Sequence, residues 1–317
     1  MKISTQNRFF TPLGDLDERY RLAAEMGYTA IDLGMGEWSV GQIFRNETYG
    51  FFDKSMEELI AYYKAFSDAA ARHGIATYQM HAPFPSARKN TPEINAYIKT
   101  VFKKCIQISS AIHCKYLVAH PIAVDGYKSE AEDFAADFEL FSNYVDTLKE
   151  YGVTMCIENA YYYYNGRIRS INASNAAYLV RLVESLNELA GEECFAICYD
   201  TGHGNITGKD HYGEILTYGK HLKVLHIHDT DGVYDTHLIP YTGRYTDRQA
   251  TDWEGILRAL AEIGYEGSIN FECDGGVEGL PQDVRAEAVR LVAAIGRYFD
   301  KKIEQYKAEK KEAERNF

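Results

Sequence analysis

Six apolar runs in the chain each end in residues that can bind a metal or move a proton. The run ends are His81, His120, Glu158, Asp200, the pair His226 and His228, and Glu272. His203 lies just beyond Asp200, and the loop after His228 adds Asp235 and His237. Imidazole nitrogens and carboxylate oxygens are ligands for divalent cations, and the same groups serve as general acids and bases. One such residue alone has an ordinary structural reading; Asp200 by itself could cap the helix that follows it. Brought to a single opening, the carboxylates would repel one another strongly, and a bound divalent cation relieves that repulsion. His226 and His228 share a strand face, because side chains alternate along a strand. The deeper His226 is the preferred ligand, with His228 a substrate contact or part of a polar layer.

These residues can meet only if the runs are parallel strands whose ends point the same way. The chain reads as eight alternations of strand and helix. Strands are expected at residues 2–6, 28–33, 75–81, 115–120, 153–158, 195–200, 222–228 and 267–272. Helices are expected at 15–26, 55–73, 92–112, 130–151, 174–189, 212–221, 253–263 and 281–299. Glycine follows several of these helices, and the strands are apolar on both faces, as buried parallel strands are. Eight such units predict a single-domain α/β (β/α)8 barrel over residues 1–299, with its chemistry at the strand C-termini. An open doubly wound sheet is disfavoured because no Gly-x-Gly-x-x-Gly follows the first strand. Residues 300–317, dense in Lys and Glu, predict a charged, solvated C-terminal helical tail.

Composition narrows the class further. The 317 residues are 46% hydrophobic and 25% charged, a globular balance, and the net charge is −12. That acidity argues against a nucleic-acid partner. No apolar run is long enough to span a bilayer, and the first residues lack a signal-peptide pattern, so a cytoplasmic protein with no membrane partner is expected. The six cysteines form no Cys-x-x-Cys pair and are expected to be reduced, buried thiols.

Three stretches carry a family resemblance. They are Ile157-Glu158-Asn159, Tyr199-Asp200-Thr201-Gly202-His203, and the block from Leu225 to Glu272. That block contains His226-Ile227-His228-Asp229, Asp235-Thr236-His237-Leu238-Ile239-Pro240 and Asp252-Trp253. In order and spacing they resemble the xylose isomerase-like TIM-barrel superfamily, which includes sugar and sugar-phosphate isomerases and epimerases as well as endonuclease IV. The resemblance implies a metal-dependent enzyme of carbohydrate metabolism, isomerising or epimerising a sugar, sugar phosphate or polyol derivative. It implies one divalent cation held by Glu158, Asp200, His226 and Glu272. Glu158 and Glu272 would double as the catalytic pair, moving a proton through an ene-diolate, and His203 would hydrogen-bond a substrate oxygen. Mn²⁺ suits an oxygen-rich site with one imidazole, with Co²⁺, Mg²⁺ and Zn²⁺ as alternatives. By the same resemblance a homo-oligomer is expected.

The sequence departs from the ketohexose 3-epimerases of that superfamily. Their Glu-x-x-Asn-Arg-Phe-Glu run is replaced by Glu158-Asn159-Ala160 and Tyr161 to Tyr164, and Asp231-Gly232 stands where they carry a substrate arginine. The tyrosine run is either a stacking surface for a sugar or aglycone or a partly buried loop. An aromatic-rich mouth also suits a C-glycoside deglycosidase-type lyase. Endonuclease IV, a multi-zinc phosphodiesterase, is the main alternative. Its ligands have counterparts in His81, His120, Glu158, Asp200, His203, His226, Asp235, His237 and Glu272. The additional residues His81, His120, His203, His228, Asp235 and His237 are thus candidates for further metal or substrate contacts. Against that alternative stand the acidic chain and the single basic pair, Arg88-Lys89, after His81.

Overall fold

The computed structural model describes residues 1–36, 40–48, 50–122, 129–243 and 251–315. Ten strands are present among them: β1 (Lys2–Gln6), β2 (Ala30–Gly34), β3 (Ala76–His81), β4 (Tyr116–Ala119), β5 (Thr154–Glu158), β6 (Tyr161–Tyr164), β7 (Arg167–Ser170), β8 (Phe195–Asp200), β9 (Leu222–His226) and β10 (Ser268–Phe271). Eight of them form one parallel sheet in the order β10-β1-β2-β3-β4-β5-β8-β9. The sheet closes on itself just past β9, where Ile227 bridges to Phe271. Its backbone amide donates to Asn270 O at 2.8 Å and its carbonyl accepts from Glu272 N at 3.0 Å. This is the expected (β/α)8 barrel.

Around the barrel run α1 (Leu16–Met26), α2 (Val40–Phe44), α3 (Met56–Arg72), α4 (Pro92–Ala111), α5 (Glu130–Ser142), α6 (Val145–Tyr151), α7 (Ala176–Ala190), α8 (Thr201–Ile206), α9 (His211–Tyr218), α10 (Trp253–Glu262), α11 (Asp274–Glu278) and α12 (Gln282–Arg315). Local chemistry starts them well. Asp15 caps α1, and Ser55 and Ser129 open α3 and α5 in capping boxes with Glu58 and Glu132. The single helix expected over 130–151 is two, α5 and α6, separated at Asn143-Tyr144. The last helix does not stop at residue 299. It continues unbroken to Arg315, because Phe299, Ile303 and Tyr306 fall on one helical face and are buried. The Tyr306 hydroxyl also reaches the Glu254 carboxylate on α10.

The strands are apolar for two different reasons. Residues of one parity face the helices and join the large outer core; Leu117, Met155, Ile157, Ile197 and Leu225 are among them. Residues of the other parity, Val118, Cys156, Cys198 and Val224, fill the barrel interior with Ala196, over Tyr78 and Tyr116. Glu158, Asp200 and His226 share the parity of Cys156, Cys198 and Val224, so they are the top layer of that interior. All six cysteines are free and buried.

Beside the site layer, α9 carries a buried histidine. Tyr199 OH lies 2.6 Å from Nδ1 of His211, and burial lowers the pKa of that imidazole to about 4. A folded-state pKa below the unfolded value of about 6.5 means that the unfolded chain takes up the proton first. Stability from this group is therefore intact above pH ~6.5 and is lost as pH falls towards 4. The loss should amount to about 3 kcal/mol at its limit. Urea titrations at pH 7 and pH 4.5 test it: His211→Gln should lose clearly less stability between the two than the wild type, and equal losses would refute the assignment.

Candidate metal centre

The described site residues converge at the C-terminal mouth of the barrel. Glu158, at the end of β5, is the hub. Its Oε1 lies 2.9 Å from His226 Nδ1, and its Oε2 lies 2.9 Å from His120 Nε2 and 3.4 Å from His81 Nε2. Asp200, at the end of β8, caps α8 by accepting from the His203 amide at 2.7 Å, and it lies 3.0 Å from His228 Nε2. Asp235 lies 3.3 Å from His237 Nε2 and 3.5 Å from His203 Nε2. Glu272, just past β10, lies 3.5 Å from His226 Nε2 and accepts from Gln6 Nε2 at 2.7 Å.

Among the described residues, four groups could each hold a cation: His81–Glu158–His226, Asp200–His203–His228, His228–Asp235–His237 and Asp32–His226–Glu272. The set Glu158, Asp200, His226 and Glu272 is not gathered evenly. Glu158 and Glu272 flank His226, while the Asp200 carboxylate meets His228, beyond the end of β9. Both histidines are fully buried. A Cβ on Gly202 would overlap the His228 ring, so the glycine of Tyr199-Asp200-Thr201-Gly202-His203 makes room for it. His228 also stacks on His237, with centroids 3.9 Å apart and planes 5° from parallel.

The donor set fits a divalent cation on two observations. Buried Glu158 Oε2 and Asp235 Oδ1 each face other ligand-type atoms without making a hydrogen bond. Atoms that close, out of hydrogen-bond geometry, are aimed at common points rather than at one another. Second, four of the imidazoles are anchored from behind by backbone carbonyls. His81, His203, His228 and His237 direct Nδ1 at the carbonyls of Ala82, Asn159, Asp229 and Glu272, at 2.6, 2.8, 3.2 and 2.8 Å. A carbonyl accepts only, so Nδ1 carries the proton and Nε2 turns a lone pair inward, the tautomer a metal ligand needs.

The charges are tightly balanced. Burial pushes Glu158 up, but His226 and His120 outweigh it and hold the carboxyl well below the usual range. Burial pushes His203 down, yet Asp200, Asp235 and Glu158 raise it to about 10. His237 is likewise raised, despite burial, by Asp235 and Asp274. Protons on imidazole neutralise these carboxylates in one way and a divalent cation does so in another, and the two compete.

Above the site lies a feature the sequence reading left open. β6 and β7 form an antiparallel hairpin around Asn165-Gly166, both with positive φ. Asn-Gly between two β-rich runs is a strong hairpin signal and could have revealed it. Tyr161 OH donates to Asp235 Oδ2 at 3.0 Å, and its ring packs edge-on to His203 at 5.0 Å. Tyr163 and Tyr164 are exposed. Two further residues, Asp32 and Gln6, entered the site unforeseen. Asp32 is a lone acid inside the apolar run Ala30-Ile31-Asp32-Leu33, and that isolation is its signal.

The family model described as "Xylose isomerase-like TIM barrel" matches residues 20–293, and the chain belongs to that family. An uncharacterized protein of Sinorhizobium fredii strain NBRC 101917 / NGR234, y4fM, is 24% identical over 172 residues, 54% of this chain. The chain spans only 51% of that relative's length. The crystal structure of D-psicose 3-epimerase in the presence of D-fructose matches with a TM-score of 0.66 and 18% identity, covering 94% of this chain and 99% of that one. The IOLI protein with a bound zinc atom matches with a TM-score of 0.68 and 18% identity, covering 96% and 99%. At such identities the two structures share the fold. No helix among the described residues is long and apolar enough to cross a membrane.

Proposed function

We propose that the protein is a metal-dependent sugar isomerase or epimerase that moves a carbon-bound proton between two glutamates. The observation that carries this reading is the placement of Glu158 and Glu272 on either side of His226, at the mouth of a barrel of this family. Solved structures of similar fold include sugar epimerases. The donors to a divalent cation are Glu158, Asp200 and Glu272 with an imidazole from the His226–His228 segment; Mn²⁺ suits the oxygen-rich set, and Zn²⁺, Co²⁺ and Mg²⁺ remain alternatives. When bound, the cation supplies Lewis acidity to the oxygens of a substrate carbonyl and its neighbouring hydroxyl.

The chain's own groups do the rest. His226 and His120 hold Glu158 ionised at neutral pH, the form that accepts a proton. Gln6 fixes one oxygen of Glu272 by donating to Oε1 and leaves Oε2 for proton return. The Nε2 of His203 faces the mouth beside Asp235, placed to bind a substrate oxygen. Tyr161, hydrogen-bonded to Asp235 and packed edge-on to His203, walls that opening on one side.

The test is a panel of ketoses, ketose phosphates and keto-glycosides incubated in D₂O with Mn²⁺-loaded protein and followed by proton NMR. The expected result is loss of a proton signal next to the carbonyl, with an epimer or isomer appearing. Cleavage of abasic-site DNA without any such exchange would favour a second reading, a multi-zinc phosphodiesterase. That reading is supported by His81 and His120 lying on Glu158 and by His203 and His237 lying on Asp235.

A further inference from the structure

His226 is held differently from the other anchored histidines. Its Nδ1 faces the hub carboxylate at 2.9 Å, so its outer nitrogen is Nε2. That nitrogen is buried and has no hydrogen bond to a carbonyl. Two carboxylate oxygens lie 3.5 Å from it: Asp32 Oδ2 on the barrel floor, and Glu272 Oε1, which already accepts from Gln6. Asp32 is fully buried on β2. The same Oδ2 accepts from Gln79 Nε2 at 3.0 Å and from Asn270 Nδ2 at 3.2 Å, while Oδ1 has no partner. Two amides hold this carboxylate in place and leave it with accepting capacity beneath His226. An acid in the floor of an apolar barrel costs several kcal/mol unless something requires it.

We infer that Asp32 is the positioning residue of His226, accepting its Nε2 proton so that Nδ1 presents its lone pair to the metal centre. It does for His226 what backbone carbonyls do for His81, His203 and His228; at His237 Nδ1 the carbonyl is joined by Asp274 Oδ1 at 2.9 Å. The difference is charge. A carboxylate behind an imidazole makes the opposite nitrogen a stronger donor than a carbonyl does, so His226 becomes a stronger ligand than His81, His203 and His228. The inference rests on the metal-centre reading above, and its test separates the two.

Full-length wild type and Asp32→Asn are stripped with chelator and titrated with Zn²⁺ and with Mn²⁺. Ring ¹H–¹⁵N correlations of the histidines are recorded on the Zn²⁺-loaded proteins. The expected result for Asp32→Asn is a 10- to 100-fold loss of affinity, with site number and circular dichroism unchanged. In the wild type the His226 ring should show a protected Nε2 proton and a metal-shifted Nδ1. Equal affinity and an unchanged ring spectrum in Asp32→Asn overturn the inference. If that variant fails to fold, the wild-type spectrum decides, because a proton on Nδ1 with metal on Nε2 overturns it. If the wild type binds neither metal, the metal reading fails, and the metal-free rings decide on Asp32. An Nε2 proton protected in the wild type and exposed to exchange in Asp32→Asn keeps the inference; no difference ends it.

Discussion

Glu158→Gln is expected to lower turnover by about 10³-fold or more, and Glu272→Gln by a comparable factor, on whichever sugar the wild type epimerises. Gln keeps the size of Glu but accepts no proton at neutral pH. At Glu158 it also leaves His120, His81 and His226 facing a neutral amide, so the variant should bind metal more weakly. Among the described residues the Glu272 carboxylate pairs with one imidazole, His226, and with the Gln6 amide, so Glu272→Gln should retain more metal. Deuterium exchange separates the two roles. If Glu158 removes the proton, Glu158→Gln abolishes exchange as well as turnover. Full activity in both variants would end the two-glutamate mechanism.

Stripping the metal is expected to destabilise the whole barrel as well as silence it. The candidate ligands lie at the ends of β5, β8, β9 and β10, so one cation ties four strands together at the barrel mouth. A ligand present at a hundred times its Kd adds about 2.7 kcal/mol to stability. For a domain of this size that is a rise in Tm of roughly 4 °C. Thermal melts of chelator-treated protein, with and without restored Mn²⁺ or Zn²⁺, should show that shift. Coincident melts would mean that no cation binds the folded state tightly.

Much of this site was legible because a barrel writes its chemistry at fixed places. An apolar run that stops at His81, Glu158 or Asp200 announces both a strand and the residue at its mouth. What was harder to read depended on one-residue parity or on contacts across the barrel. His226 and His228 are two residues apart on the same face, and only the end of β9 separates them: Asp200 meets the later one and Glu158 the earlier. Asp32 comes from β2 and meets His226 from β9, a pairing no local pattern encodes. The tail beyond residue 299 read as solvated because Lys and Glu dominate its composition, while the buried stripe Phe299, Ile303 and Tyr306 is carried by spacing alone. The tyrosine run is a hairpin because Asn165 and Gly166 supply the positive φ that its turn requires.

A divalent cation at the barrel mouth should be visible in the metal content of the purified protein, measured by elemental mass spectrometry, per chain, before and after reconstitution. At least one tightly held divalent ion per chain is expected, with about one Mn²⁺ or Co²⁺ supporting proton transfer at the two glutamates. Two or three Zn²⁺ would bring His81, His120 and His237 in as ligands and move the phosphodiesterase reading forward. A folded chain that retains no divalent ion after reconstitution and exhaustive dialysis would contradict the account.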